Sequence, residues 1–194
     1  MTSTRTSATT SKTTEPVTIP AAGGYRIDPT RSTITFSTRH LFGLAPVRGT
    51  FRLRSGHIQV ADLPERSTAE ATVASESFHT GTSARDTQVR SAAYLDAVRH
   101  PDIVFASTGL SRSGDDWVLE GTLTVRGLAR PLSLRVLSLS PAESGLRLRA
   151  AARVDRYEFG ITAGRGIIGR RLSLSLDVVG EATERGMNGP AGRG

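Results

Sequence analysis

Hydrophobic and polar residues alternate with a period of two along most of this 194-residue chain, the pattern of strands that bury one face and wet the other. Ile34 and Phe36 alternate with Thr33, Thr35 and Ser37. Phe51 and Leu53 alternate with Arg52 and Arg54, and beyond Ser55-Gly56 the residues Ile58 and Val60 supply a hairpin partner. Ala69, Ala71 and Val73 continue the pattern. Ile103 to Ser107 follow, then Trp117, Leu119, Leu123 and Val125 across the turn signal Ser113-Gly114-Asp115-Asp116. Leu132, Leu134 and Val136 share one face while Leu137 and Leu139 take the other parity, which predicts a bulge or a change of exposure. Two more strands carry Leu146, Leu148, Ala150, Ala152 and Val154, and then Leu172, Leu174, Leu176 and Val178; polar residues, including Arg147, Arg149, Ser173 and Asp177, lie opposite. Strands at intervals of roughly ten residues, joined by short turns, predict an all-β antiparallel sandwich or barrel.

One stretch breaks the alternation. Thr80-Gly81-Thr82-Ser83 offers hydroxyl caps, Val89, Ala92, Ala93 and Leu95 supply apolar positions, and Pro101 forbids helix beyond His100. The expectation is an all-β fold with one or two short helices, one of them crossing an end of the structure. That favours a capped barrel of about eight strands. The inward positions are mainly Ala, Val and Leu, with only six Phe, three Tyr and one Trp in the chain. An eight-stranded interior lined by modest side chains has room for one small ligand, although a filled core satisfies the same pattern.

Composition narrows the function. Cysteine is absent, which excludes disulfides, thiolate chemistry and cysteine-ligated metals. The net charge of +7 comes from arginine, Lys12 being the only lysine. Arg26, Arg31, Arg52, Arg54, Arg112, Arg126, Arg135, Arg147 and Arg149 are scattered, many of them alternating with apolar residues, as on a solvated outer face and unlike a nucleic-acid stripe. No apolar run approaches the roughly 18 residues of a membrane span, and the first 20 residues lack the apolar core of a secretory signal. The expectations are therefore a cytoplasmic protein without stable membrane insertion, a disordered Ser/Thr-rich arm over residues 1–22, one barrel domain over 23–183 and a disordered tail over 184–194. Open barrel ends and edges also leave room for a homodimer.

Chemical motifs are sparse. Gly164-Arg165-Gly166-Ile167-Ile168-Gly169 matches G-x-G-x-x-G, yet a strand follows it where a dinucleotide site needs a helix, so the glycines read as a loop at a barrel mouth. His40, His57, His79 and His100 show no metal-ligand spacing, and no nucleophile elbow is present. Neither a metal site nor a catalytic set is expected. Arg39-His40 and Arg85-Asp86, at a strand end and a helix start, are positioned to receive a polar head group at a barrel mouth.

Together the segments resemble the YceI-like, polyisoprenoid-binding family over about residues 24 to 183. The resemblance runs through Tyr25-Arg26-Ile27-Asp28-Pro29, Arg39-His40, Arg48-Gly49-Thr50-Phe51, Ala84-Arg85-Asp86, Tyr94-Leu95-Asp96 and His100-Pro101. It continues in Gly121-Thr122-Leu123-Thr124-Val125-Arg126-Gly127 and in Asp155-Arg156-Tyr157-Glu158-Phe159-Gly160-Ile161. It implies a single extended lipocalin-like barrel whose apolar lumen binds an isoprenoid (a polyprenyl or quinone) or similar lipid-like amphiphile, with no catalytic residues and no other cofactor. The expected lining is Phe36, Phe42, Phe51, Tyr94, Phe105, Leu123, Val125, Phe159 and Ile161. The expected head-group contacts are His40 and Arg85, with Asp86 orienting Arg85. The expected role is that of a carrier, storage or stress-related binding protein; competing classes are an enzyme using the barrel for a small apolar substrate and a basic nucleic-acid-binding barrel.

Overall fold

Alternation of this kind closes into a barrel when each strand pairs with the next and the last returns to the first. The computed structural model describes residues 17–40 and 45–183, without the side chains of residues 39, 40 and 45, and shows that arrangement. The strands are β1 (Gly23–Ile27), β2 (Thr33–His40), β3 (Ala45–Phe51), β4 (Leu53–Val60), β5 (Thr68–Ala74), β6 (Asp102–Ser113), β7 (Asp116–Val125), β8 (Leu128–Ala142), β9 (Gly145–Asp155) and β10 (Arg171–Ala182). Hydrogen bonding runs β1-β4-β5-β6-β7-β8-β9-β10, and β10 pairs back onto β1, closing eight antiparallel strands. The β2–β3 hairpin extends the wall beside β10 at one end.

Ten strand segments appear where about eight were expected because two long strands are interrupted. Asp28 Oδ1 accepts hydrogen bonds from the Thr30 amide at 2.8 Å and the Thr30 hydroxyl at 2.7 Å. That side-chain turn separates β1 from β2. Between β3 and β4 the Arg52 amide leaves the ladder to donate to Ser77 Oγ at 2.8 Å. In β8 the register shifts between Val136 and Ser138. This is the bulge that the parity change at Leu137 predicts, and it returns Leu139 to the inward row opposite Leu148. Two glycines allow close approach within the wall: the Phe36 ring lies over Gly49 and the Phe105 ring over Gly121, where a Cβ would collide.

Helix α1 (Ser83–Arg90) is shorter than the sequence suggests. After Arg90 the chain coils in turns, with the Leu95 amide bonded to the Val89 carbonyl and Asp96 at φ 50°. Tyr94 and Leu95 are thereby buried while Ala92 and Ala93 stay exposed. The Thr82 cap position makes no side-chain hydrogen bond. The arm also ends earlier than expected. Val17 bridges to Leu139, the Thr18 amide donates to the Leu139 carbonyl at 2.7 Å, and the Tyr25 hydroxyl holds the Ala21 carbonyl at 2.6 Å. Segment 17–18 therefore covers the edge of β8 beyond its pairing with β7. The rest of the expected arm, 1–16, and the tail 184–194 lie outside the described residues. Among the described residues no helix is long and apolar enough to cross a membrane.

Up-and-down order sorts the connections into two ends. One end carries 61–67, 114–115 and 143–144; the other carries 75–101, 126–127 and 156–170. The first end is packed shut by Tyr25, Val60, Leu146 and Val178, with Leu110, Leu119 and Val136 alongside. Leu146 has no exposed surface. On the outer wall the arginines are paired or solvated: Arg147 grips Asp177 through Nε at 2.9 Å and Nη2 at 2.8 Å, and Arg54 meets Asp102 at 3.0 Å.

Candidate functional site

Inside the barrel the inward rows leave a cavity of about 400 Å³, a volume within the roughly 300–1,000 Å³ of small-molecule sites. Parity alone cannot separate such a lumen from a filled core, but burial can. Ile103, Leu132, Val154, Leu172, Leu174 and Leu176 line the cavity and are only half-buried. Apolar side chains that face inward and still have accessible surface are facing empty space.

The expected lining is brought together. Phe36, Phe51, Tyr94, Phe105, Leu123, Val125, Phe159 and Ile161 all border the cavity. Phe36, Phe51 and Phe78 form an aromatic cluster with ring centroids 5.0 to 5.5 Å apart. Phe42 and the His40 side chain lie outside the described residues. Polar lining is confined to a few groups, chiefly Thr38, Thr82, Arg85, Gln88 and Arg156. Arg85, Gln88 and Val89 sit at i, i+3 and i+4, so α1 turns one face to the lumen. Exposed Thr82, Ala84 and Gln88 place the opening beside this helix.

Asp86 departs from its expected role. It does not border the cavity, and its carboxylate is used elsewhere. Oδ1 accepts from the Thr80 amide at 2.9 Å and hydroxyl at 2.7 Å, and Oδ2 lies 3.0 Å from His79 Nδ1. Burial pushes this carboxyl up, but the hydrogen bonds from Thr80 and the neighbouring His79 outweigh it and hold the group below its ordinary value. Asp86 thus ties the 79–80 segment to the first turn of α1, while Arg85 reaches only the Thr80 hydroxyl, at 3.4 Å. Thr80 is the hydrogen-bond partner that Asp86 and Arg85 share.

Sequence reasoning missed Arg156. This buried guanidinium lines the lumen and donates to four backbone carbonyls: Nε to Gly169 at 3.0 Å, Nη1 to Ile161 and Ala163 at 2.7 Å each, and Nη2 to Ile168 at 3.1 Å. Burial pushes it below the ordinary arginine value, partly countered by Tyr157, Tyr94 and Asp155. The available signal was a cation just ahead of the glycine-rich loop 160–169, whose carbonyls need donors if the loop is to fold inward. Gly160, Gly164 and Gly166 adopt φ of 66–79° there, which suits a loop wrapped around one side chain.

This architecture can be set beside known proteins. A UPF0312 protein of Enterobacter sp. strain 638 is 27% identical over 167 residues, covering 82% of this chain and 86% of its own. The crystal structure of BcnA from Burkholderia cenocepacia superposes with a TM-score of 0.69 at 18% identity, over 78% of this chain and 98% of that one. A polyisoprenoid-binding domain from Saccharophagus degradans gives 0.60 at 15% identity, over 84% and 100%. The two structures establish the shared fold. The model of the YceI-like domain matches residues 25–180, almost the whole barrel from β1 to the end of β10, and the chain belongs to that family.

Proposed function

We propose that the lumen binds the hydrocarbon tail of an isoprenoid, a polyprenyl or quinone species, or a similar long-chain amphiphile. The observation that carries this reading is the apolar row left half-buried around an open cavity of about 400 Å³. Each CH₂ moved from water into such a wall contributes about 0.8 kcal/mol. A few isoprene units therefore offset the cost of association. The polar end of the guest would rest at the opening, where Arg85 and Gln88 border the cavity. The polyisoprenoid-binding domain with the same fold supports this choice of guest. Binding rather than catalysis is also what the site chemistry favours, since the lumen wall holds two arginines and no carboxylate or histidine among the described residues. The phenylalanines Phe36, Phe51, Phe78 and Phe105 point into the barrel, which leaves them unable to stack nucleic-acid bases on the outer wall.

The test is native mass spectrometry of chain purified without detergent, followed by organic extraction. Near-stoichiometric release of a polyprenyl or quinone species supports the reading and names the guest. A bare mass that also refuses added isoprenoid overturns it.

A further inference from the structure

The two ends of the barrel differ in charge as well as packing. Among the described residues, the connections at the closed end carry Asp62, Glu65, Asp115 and Glu143 against Arg66 alone. Those at the open end carry Arg85, Arg90, Arg99, Arg126, Arg156, Arg165 and Arg170 against Glu76, Asp86, Asp96 and Glu158. Asp86, Asp96 and Arg156 are all buried, which leaves Arg85, Arg90, Arg99, Arg126, Arg165 and Arg170 against Glu76 and Glu158 as the exposed or half-buried charges of this end. The closed-end connections expose Leu63 at 55%, whereas the basic end exposes three large apolar side chains, Val98 at 92%, Ile167 at 48% and Leu128 at 40%. They come from three separate connections, the turns after α1, the glycine-rich loop and the start of β8, and so ring the end on which the lumen opens. Arg126 sits in the two-residue hairpin before Leu128, where positive φ at Arg126 and Gly127 defines a tight turn.

We propose that this end docks on an anionic lipid bilayer, with Arg126 and Arg165 against anionic head groups and Val98, Ile167 and Leu128 in the interface. Charge complementarity selects the occupant. A basic rim carrying isolated apolar side chains matches an anionic surface with hydrocarbon beneath it. The opposite end, being acidic, is repelled and sets the orientation. The proposal rests on the lumen reading, because docking in this pose brings the opening to the membrane in which an amphiphile resides.

The test is sedimentation of the full chain with phosphatidylcholine vesicles, with and without phosphatidylglycerol. Binding to the anionic vesicles that weakens with added salt is expected. A basic side chain near such a surface strengthens binding roughly fivefold, so Arg126→Glu combined with Arg165→Glu is expected to lower it by about tenfold or more. Val98→Asp lowers it severalfold, while Arg66→Glu at the closed end leaves it unchanged. Equal binding to both vesicle types, equal loss from the closed-end variant, or retention on heparin with no vesicle binding overturns the proposal. Failure here is separable from failure of the lumen reading. A charge-reversed chain that takes up dispersed isoprenoid but ignores anionic vesicles supports the docking surface, because the lumen is intact. A native chain that sediments with anionic vesicles yet never takes up isoprenoid supports the docking surface and removes the lumen reading.

Discussion

The closed and open ends of this barrel are built from the same alternating strands and differ in what the inward row meets. At the closed end Leu146 has no exposed surface and lies against Tyr25 and the bare backbone of Gly180. At the open end Leu172, Leu174 and Leu176, on β10 as Val178 is, keep accessible surface inside the wall. Alternation thus makes a wall, and whether the interior is filled depends on the volume supplied by facing strands. Gly180 permits close approach where the end is sealed. The open end has instead a helix and a loop laid over it, and neither fills the space.

The sharpest test of this contrast is removal of the same side chain from each end. Leu146→Ala leaves a cavity in packed surroundings and is expected to cost about 4 kcal/mol. Denaturant titration measures it. A cost below about 1 kcal/mol would show that the closed end is not sealed.

Arg156→Met comes next. Four carbonyls lose a charged donor, and the expected loss is about 3 kcal/mol. Hydrogen exchange is expected to rise over 160–169 while β6 and β7 remain protected. Uniform acceleration across the barrel would show that Arg156 acts on the whole fold and not on the loop over the open end.

Asp86→Asn is smaller, about 1–2 kcal/mol, since the amide oxygen retains part of the bonding to Thr80. Its pH dependence carries more information. The folded carboxyl lies below its ordinary value, so its stabilising contribution is complete above the unfolded-state carboxylate pKa and is lost as pH falls through the folded value. The native chain is expected to lose this component on acidification and Asp86→Asn to lack it. Parallel acid-unfolding curves for the two would remove Asp86 as the tether of α1.

Much of the wall was legible because period-two burial is a local property. The parity change at Leu137 marked the β8 bulge, and the glycine-rich loop was assigned to a barrel mouth through the strand that follows it. The breaks in the long strands were hidden because they depend on partners: Ser77 draws Arg52 out of the ladder from 25 residues away. Asp86 was placed in the head-group site because a carboxylate beside an arginine in sequence suggests a pair. On a helix, adjacent residues point in different directions, and Asp86 faces back to Thr80 while Arg85 faces the lumen. Arg156 escaped because its partners are backbone carbonyls, to which only its place ahead of the glycine-rich loop pointed. Half-burial of the β10 leucines was equally hidden, since a filled row and an empty one alternate identically.

The smallest stability effect is expected where the inward row meets space. Leu174→Ala deletes a side chain whose far side is already unpacked, so less than about 1 kcal/mol should be lost. The reverse change separates the ends more cleanly. Leu174→Trp adds volume at the lumen: into a packed core such an insertion costs about 1–3 kcal/mol, whereas into a cavity it replaces empty space with contacts. The expected result is unchanged or slightly raised stability together with reduced isoprenoid uptake, read by denaturant titration and by fluorescence of the new indole. A destabilisation of 1–3 kcal/mol by Leu174→Trp would mean that β10 faces a filled interior, and the contrast between the two ends would then reduce to their surface charge.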